Sequence, residues 1–362
     1  MFLSFGEIML RVAPPGFLRF RQVLPGAVQV TFGGGEANVC ASLAMLGRPT
    51  RYLTALPKHP MAQSIVDTLR GLGIDTGCIL RREAGRLGIY FVETGANQRG
   101  SQVIYDREHS AISLADPEEY DFFAALEGTT RLHVTGITPA ISENAFRATL
   151  ELTRRAHELG VTVSCDLNFR KKLWRWRPTA DAPSLARECM SEILENVDLV
   201  IGNEEDAEKV LGIQAEGTSV ETGTINARAY HQVARRIREQ FPNVSLVAIT
   251  LRESVSASHN NWGAMLFDCK ADKAHLAPLD EDGNYRPYEI RDIVDRVGAG
   301  DSFAAGLIYA LDSKDTGDPF DALRFAVAAS CLKHSIHGDF NYVTVDEIKA
   351  LAAGQASGRV QR

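Results

Sequence analysis

The 362 residues predict an α/β fold in three layers, a parallel sheet with helices on both faces, joined by a small β-sheet lid. Three observations carry this expectation. From residue 130 onward short strand-like runs alternate with helical patterns, as in a parallel sheet built from crossover units. Glycine-rich turns at 33–35 and 298–300 each run into an apolar helical segment. Residues 87–107 break the alternation with two strand-like runs around a polar turn, the pattern of a hairpin.

Composition narrows the function classes. Hydrophobic content of 45 % with 23 % charged residues is ordinary for a globular chain with a large core. No apolar run approaches the roughly 20 residues that span a bilayer, so no membrane partner is expected. A formal net charge of −7 weighs against a nucleic-acid partner, which would need a basic face. The local exception, the basic stretch 170–177 with two tryptophans, points by its position to a small anionic ligand. Six scattered cysteines without a C-x-x-C argue against zinc and against a disulfide framework. Residues 1–10 lack a basic leader and carry Glu7 inside an apolar run, so they read as a first strand of a cytoplasmic protein. No linker or repeat divides the chain, and 1–362 is expected to be one domain.

Taken in order, residues 11–31 contain three prolines and short extended pieces too irregular for a helix, and form the first part of the lid. A helix at 39–46 follows the first glycine turn, then a strand at 51–56 and a helix at 61–72 closed by Gly73. Strands at 87–93 and 101–107 supply the second part of the lid, taken as 85–110. Exposed strand edges and apolar faces need a partner, so the lid is expected to carry a homo-oligomer contact. Strands at 131–135, 161–166, 198–201 and 246–251 then alternate with helices, placing ligands beyond their carboxyl ends. Residues 312–320 connect the last two large helices.

The stretch 295–306, D-R-V-G-A-G-D-S-F-A-A-G, organises the chemistry. Its turn opens a helix whose first amides have no intrahelical partner and form an anion site. Gly298, Ala299 and Gly300 let those amides approach a ligand, and Asp301 stands beside the anion. An acid there suits removal of a proton from a hydroxyl attacking a phosphoryl group. The alternative is a helix cap serving stability alone.

Elsewhere, Gly33, Gly34 and Gly35 expose bare backbone to a polar ligand, with Asn38 supplying an amide, or else pack the helix closely on the sheet. Both standard nucleotide loops are absent. Asn168 and Arg170 emerge at a strand end, where Arg170 can clamp a carboxylate or phosphate. Asn203 and Asp206 open a helix after another strand. Magnesium keeps several waters, and such a loose oxygen cluster near phosphates suffices to hold it.

The string D-x-x-G-A-G-D-x-F-x-A-G and the earlier G-G-G-x-x-N resemble the two signatures of the PfkB, or ribokinase-like, carbohydrate kinases. This resemblance spans essentially the whole chain. It implies the ribokinase-like fold, ATP and Mg2+ as cofactors, Asp301 as catalytic base, and a sugar held at Gly33 to Gly35 and Asn38. D-L-N-F-R-x-x-L-W at 166–174 resembles the 2-keto-3-deoxygluconate kinase branch, which implies a sugar acid bound by Arg170 with Tyr105 and Arg107 on the lid. Tyr105 and Arg107 share a strand face by their spacing, and Tyr90 on the paired strand joins them, unless these form only a structural cross-strand pair. Asn203 and Asp206 resemble the family's N-x-x-E, with Asp in place of Glu. Thr250 and Arg252 are candidates for the nucleotide phosphates, although the family's T-x-G-x-x-G is replaced here by a longer segment at 250–263. Asp295 is the candidate for a monovalent cation such as K+. A neutral-sugar kinase of fructokinase or ribokinase type, and a sugar-binding regulatory protein without turnover, are the alternatives.

Overall fold

The computed structural model describes residues 1–213, 227–313 and 317–355, so the expected connection at 312–320 falls partly outside the described residues. A parallel block comprises β1 (Phe2–Phe5), β4 (Thr50–Leu53), β9 (Arg131–Thr135), β10 (Thr162–Asp166), β11 (Leu199–Gly202) and β12 (Leu246–Ser256), in the spatial order β4-β1-β9-β10-β11-β12. β13 (His259–Asp268) and β14 (Lys273–Ala277) extend it antiparallel, and β15 (Tyr288–Ile290) also pairs with β13.

Period-two alternation along these strands divides the core between two faces. Val200, Val247, Ile249, Met265 and Phe267 pack with the helices Glu143–Glu158, Ala182–Leu194 and Ala227–Gln240. Leu199, Ile201, Ala248, Ala264 and Leu266 pack on the other side, with the helices Gly35–Met45, Pro60–Gly71, Ala299–Leu311 and Pro319–Lys333. Ala299–Leu311 is apolar almost all round because it lies between sheet and neighbouring helices. Truncating its fully buried Phe303 to alanine would cost about 3–5 kcal/mol.

A separate four-stranded sheet has the order β3-β2-β7-β8, from β2 (Met9–Ala13), β3 (Gln29–Gly33), β7 (Ile89–Glu93) and β8 (Gln102–Asp106). A short pair, β5 (Ala55–Pro57) with β6 (Leu80–Arg82), completes the strands. The apolar run at 1–10, expected as one strand, is two. β1 joins the large sheet, Gly6-Glu7-Ile8 lies outside any strand, and β2 enters the small one. The run at 51–56 is likewise split between β4 and β5. Within 11–31, where no helix was expected, Phe20–Val23 makes a single helical turn. The strand expected at 246–251 runs on to Ser256 and returns as β13, so the parallel alternation ends there.

Candidate active site

A cavity of about 900 Å³ lies beyond the carboxyl ends of β10 and β11, between the large sheet and the inner face of the small one. Every residue singled out above lines it except Gly33. A side chain at Gly33 would collide with the Asp339 carboxylate and the Tyr90 hydroxyl. Its smallness thus serves close packing, the structural reading of that glycine, rather than contact with the cavity.

Gly298 caps the helix Ala299–Leu311 in the left-handed region, φ 84°, and a Cβ there would strike the backbone carbonyl of Asp339. That turn directs the first amides of the helix and Asp301, its third residue, at the cavity. Asn38 donates through Nδ2 to Asp301 Oδ2 at 2.6 Å and to Asp339 Oδ2 at 3.2 Å, while its Oδ1 accepts from the Gly34 amide at 3.2 Å. Burial pushes the Asp301 carboxyl up to about 7; the Asn38 bond opposes that rise and the Asp339 charge adds to it. A carboxyl near 7 is matched to proton transfer at neutral pH.

On the small sheet, Arg11, Tyr90 and Tyr105 lie side by side across β2, β7 and β8. Tyr90 and Tyr105 are indeed cross-strand partners, with ring centroids 6.3 Å apart, and both line the cavity. Tyr90 donates to Asp339 Oδ1 at 2.6 Å. Arg107, just past β8, stacks on Tyr105 at 5.8 Å and forms a buried ion pair with Glu7. Arg107 Nε and Glu7 Oε1 have no hydrogen-bond partner among the described residues, so the pair keeps unused polar capacity at the cavity wall.

Arg170 donates only to the neighbouring Phe169 carbonyl, at 3.0 Å, and no ion pair joins it to a carboxylate among the described residues. Its charge acts on the nearby Asp166, Asp206 and Asp301 carboxyls without an ion-pair contact to any of them. Asn168 adopts φ 37°, and its amide donates to Asp166 Oδ1 at 3.2 Å. The Asp166 carboxyl is raised well above its usual range by burial, then by Asp206 and Asp301. Arg170 opposes that rise, and no group of three or more metal-ligating side chains forms among the described residues.

Two expected metal ligands are engaged otherwise. Asn203 and Asp206 form a reciprocal capping box on the helix Glu204–Leu211. The second Asp206 oxygen accepts from the Phe169 amide at 2.8 Å, so both are committed to backbone. Asp295 is bridged to Arg11 at 2.6 Å and accepts from the Val297 and Gly338 amides. A guanidinium already neutralises the carboxylate expected to meet a monovalent cation.

The long segment after Thr250 is the β12–β13 hairpin. Thr250 donates weakly to the Gly202 carbonyl at 3.5 Å, and Arg252 is exposed at the cavity edge. The hairpin also brings Asn260 and Trp262, whose Oδ1 and Nε1 are buried without partners among the described residues. The hairpin tip is tied to Asn97 and to Arg296.

Glu7, Asp166, Asn260, Trp262, Arg296 and Asp339 all line the cavity without having been singled out as site residues. Asp166 stood inside the D-L-N-F-R string and Arg296 inside the 295–306 stretch. Asp339 had no local signal, since its partners Arg11, Asn38 and Tyr90 are 249 to 328 residues away.

A profile of the pfkB family carbohydrate kinases matches residues 2–251 and 263–341; the break falls on the β12–β13 hairpin. The crystal structure of a 2-dehydro-3-deoxygluconokinase from Thermotoga maritima is 43 % identical, with a TM-score of 0.86 covering 98 % of this chain and 99 % of that one. A 2-dehydro-3-deoxygalactonokinase from Haloferax volcanii is 28 % identical over 98 % of both chains. A fructokinase with bound ATP from Xylella fastidiosa shares the fold, at a TM-score of 0.73 with 21 % identity and 98 % of both chains covered.

Proposed function

Because the chain belongs to the pfkB family of carbohydrate kinases, we propose that it transfers the γ-phosphoryl group of ATP to a primary hydroxyl of a 2-keto-3-deoxy sugar acid, with 2-keto-3-deoxygluconate as the leading substrate. The observation that carries this reading is Asp301 held by Asn38 at the amide-rich start of its helix, in a cavity that also presents Arg170, which has no ion-pair contact to a carboxylate among the described residues.

In the reaction Asp301 accepts the hydroxyl proton as that oxygen bonds to the γ-phosphorus and the bond from phosphorus to the ADP oxygen breaks. The amides at 298–300 stabilise negative charge gathering on the transferred group. Thr250 and Arg252 stand where the nucleotide phosphates would pass, with Asn168 on the β10 side. Magnesium, when bound, offsets phosphate charge; Glu205 faces the cavity to hold it, whereas Asn203 and Asp206 are spent on capping. A monovalent cation at Asp295 is not part of the reading, because Arg11 supplies positive charge there.

Arg170 gives the substrate carboxylate a partner, and Arg107, its charge already met by Glu7, offers a spare N–H beside Tyr105 from the small sheet. Names of relatives differ in the sugar epimer, and both epimers carry that carboxylate.

The outer face of the small sheet supports self-association. Val30, Val12, Phe91 and Ile104 lie in one row across β3, β2, β7 and β8, with Val30 50 % and Ile104 60 % exposed. Such a row favours a second copy of the same face.

ADP release measured across a panel of sugar acids and neutral sugars tests the function. Turnover highest on a 2-keto-3-deoxy acid is expected, and no ADP with any sugar would leave a binding protein.

A further inference from the structure

Asp339 is the point at which the small sheet meets the proposed base. Its Oδ1 accepts from Arg11 Nη1 at 2.9 Å and from the Tyr90 hydroxyl at 2.6 Å, both on strands of that sheet. Oδ2 accepts from Asn38 Nδ2 at 3.2 Å, the same nitrogen that donates to Asp301 at 2.6 Å. The backbone carbonyl of Asp339 packs beneath the Gly298 turn that aims Asp301. Asp339 is 4 % exposed, and the partners of its carboxylate belong to the framework around the cavity.

We propose that Asp339 is a positioning residue for phosphoryl transfer, transmitting the position of the small sheet through Asn38 to Asp301. This rests on the reading of Asp301 as base. The physical reason is the donor inventory. Asn38 Nδ2 can serve two carboxylates at once only if both present acceptors, and Asp339 needs both oxygens to hold Arg11, Tyr90 and Asn38 together. An asparagine at 339 that keeps its oxygen for Arg11 and Tyr90 turns an NH2 toward the NH2 of Asn38. Two donors then face each other, and Asn38 is pushed off Asp301.

Charge acts in the same place. Asp301 is faced by Asn38 and Glu36 from the helix Gly35–Met45, by Asp339, by Arg170 and Asp166 from the end of β10, and by Lys333 from the helix Pro319–Lys333. The Asp339 charge raises the pH at which Asp301 loses its proton, and the Asn38 bond, the larger of the two influences, lowers it, so a change at 339 that also frees Asn38 raises that pH.

The test is Asp339→Asn assayed with the sugar acid and ATP as a function of pH. The expected result is a kcat at least about tenfold lower, a KM for ATP within about twofold of wild type, and an acid limb moved to higher pH. A folded variant with unchanged kcat and an unmoved limb would overturn the proposal. Should Asp339→Asn fail to fold, Tyr90→Phe decides, because it cuts one tie while keeping the charge. A lower kcat with the limb in place supports the coupling, and a raised KM at unchanged kcat refutes it. Asp301→Asn run alongside keeps the two readings apart. Full turnover there removes the base itself, whereas an inactive Asp301→Asn beside a wild-type-like Asp339→Asn removes only the coupling.

Discussion

Asn38 and Asp301, 263 residues apart in sequence, are joined by a 2.6 Å hydrogen bond from Nδ2 to Oδ2, which fixes one oxygen of a carboxylate that lines the cavity. Asp301→Asn keeps this shape and loses the proton acceptor. Turnover should fall by about 10²–10⁴-fold, while the sugar acid still binds with an affinity near that of wild type. Single-turnover kinetics with calorimetric sugar titration would check this, and a variant retaining near-normal turnover excludes Asp301 as base.

The same carboxyl sets a pH dependence. With its proton held up to about 7 by burial, Asp301 is ionised only above that value, so kcat/KM should rise with pH through about 7 and then level. A flat profile from about pH 5 to about pH 9 would contradict the assignment. Stability runs the other way. The folded value lies above the ordinary 3.8, so the native state holds this proton more tightly than the unfolded chain, and stability is lost as pH rises from about 4 to about 7. Asp301→Asn should therefore melt higher than wild type at about pH 8, with the difference shrinking toward about pH 4.

Arg11 bridges Asp295 and Asp339 at 2.6 and 2.9 Å with all three side chains buried. Arg11→Met leaves two carboxylates buried without their guanidinium and should cost about 3–5 kcal/mol in urea unfolding. A loss below about 1 kcal/mol would mean that the pair is solvated on removal and contributes little.

Ile104→Glu puts a charge at the exposed end of the apolar row on the small sheet. Sedimentation should show wild type as an oligomer and the variant shifted to monomer, with its melting temperature nearly unchanged. A wild-type monomer at micromolar concentration would refute the contact.

What was legible in the sequence follows physical range. Strand and helix order came through because period and glycine punctuation are local, and the helix opened at Gly298 lies where its turn predicted. Residues 2–10 misled because both their strands are apolar, so nothing local marks the passage from one sheet to the other at Glu7. The β12–β13 hairpin was truncated at Leu251 because Arg252, Glu253 and Ser254 read as a polar loop, although cross-strand pairing with Trp262, Asn261 and Asn260 holds them in a ladder. Asp206 is a helix cap as much as a site residue, and only its second bond, to the Phe169 amide, shows that both oxygens are committed. Asp339 was out of reach, since its place depends on partners hundreds of residues away.

Phosphoryl transfer to a sugar acid is tested by the ratio of kcat/KM for 2-keto-3-deoxygluconate to that for fructose, in wild type and in Arg170→Ala. A site holding cations for a carboxylate rejects a ligand without one, because the unpaired guanidinium keeps its desolvation cost. A wild-type ratio well above about 10²-fold is expected, narrowed in Arg170→Ala chiefly by loss on the acid. A ratio below one, or an equal loss on both sugars in the variant, would contradict it.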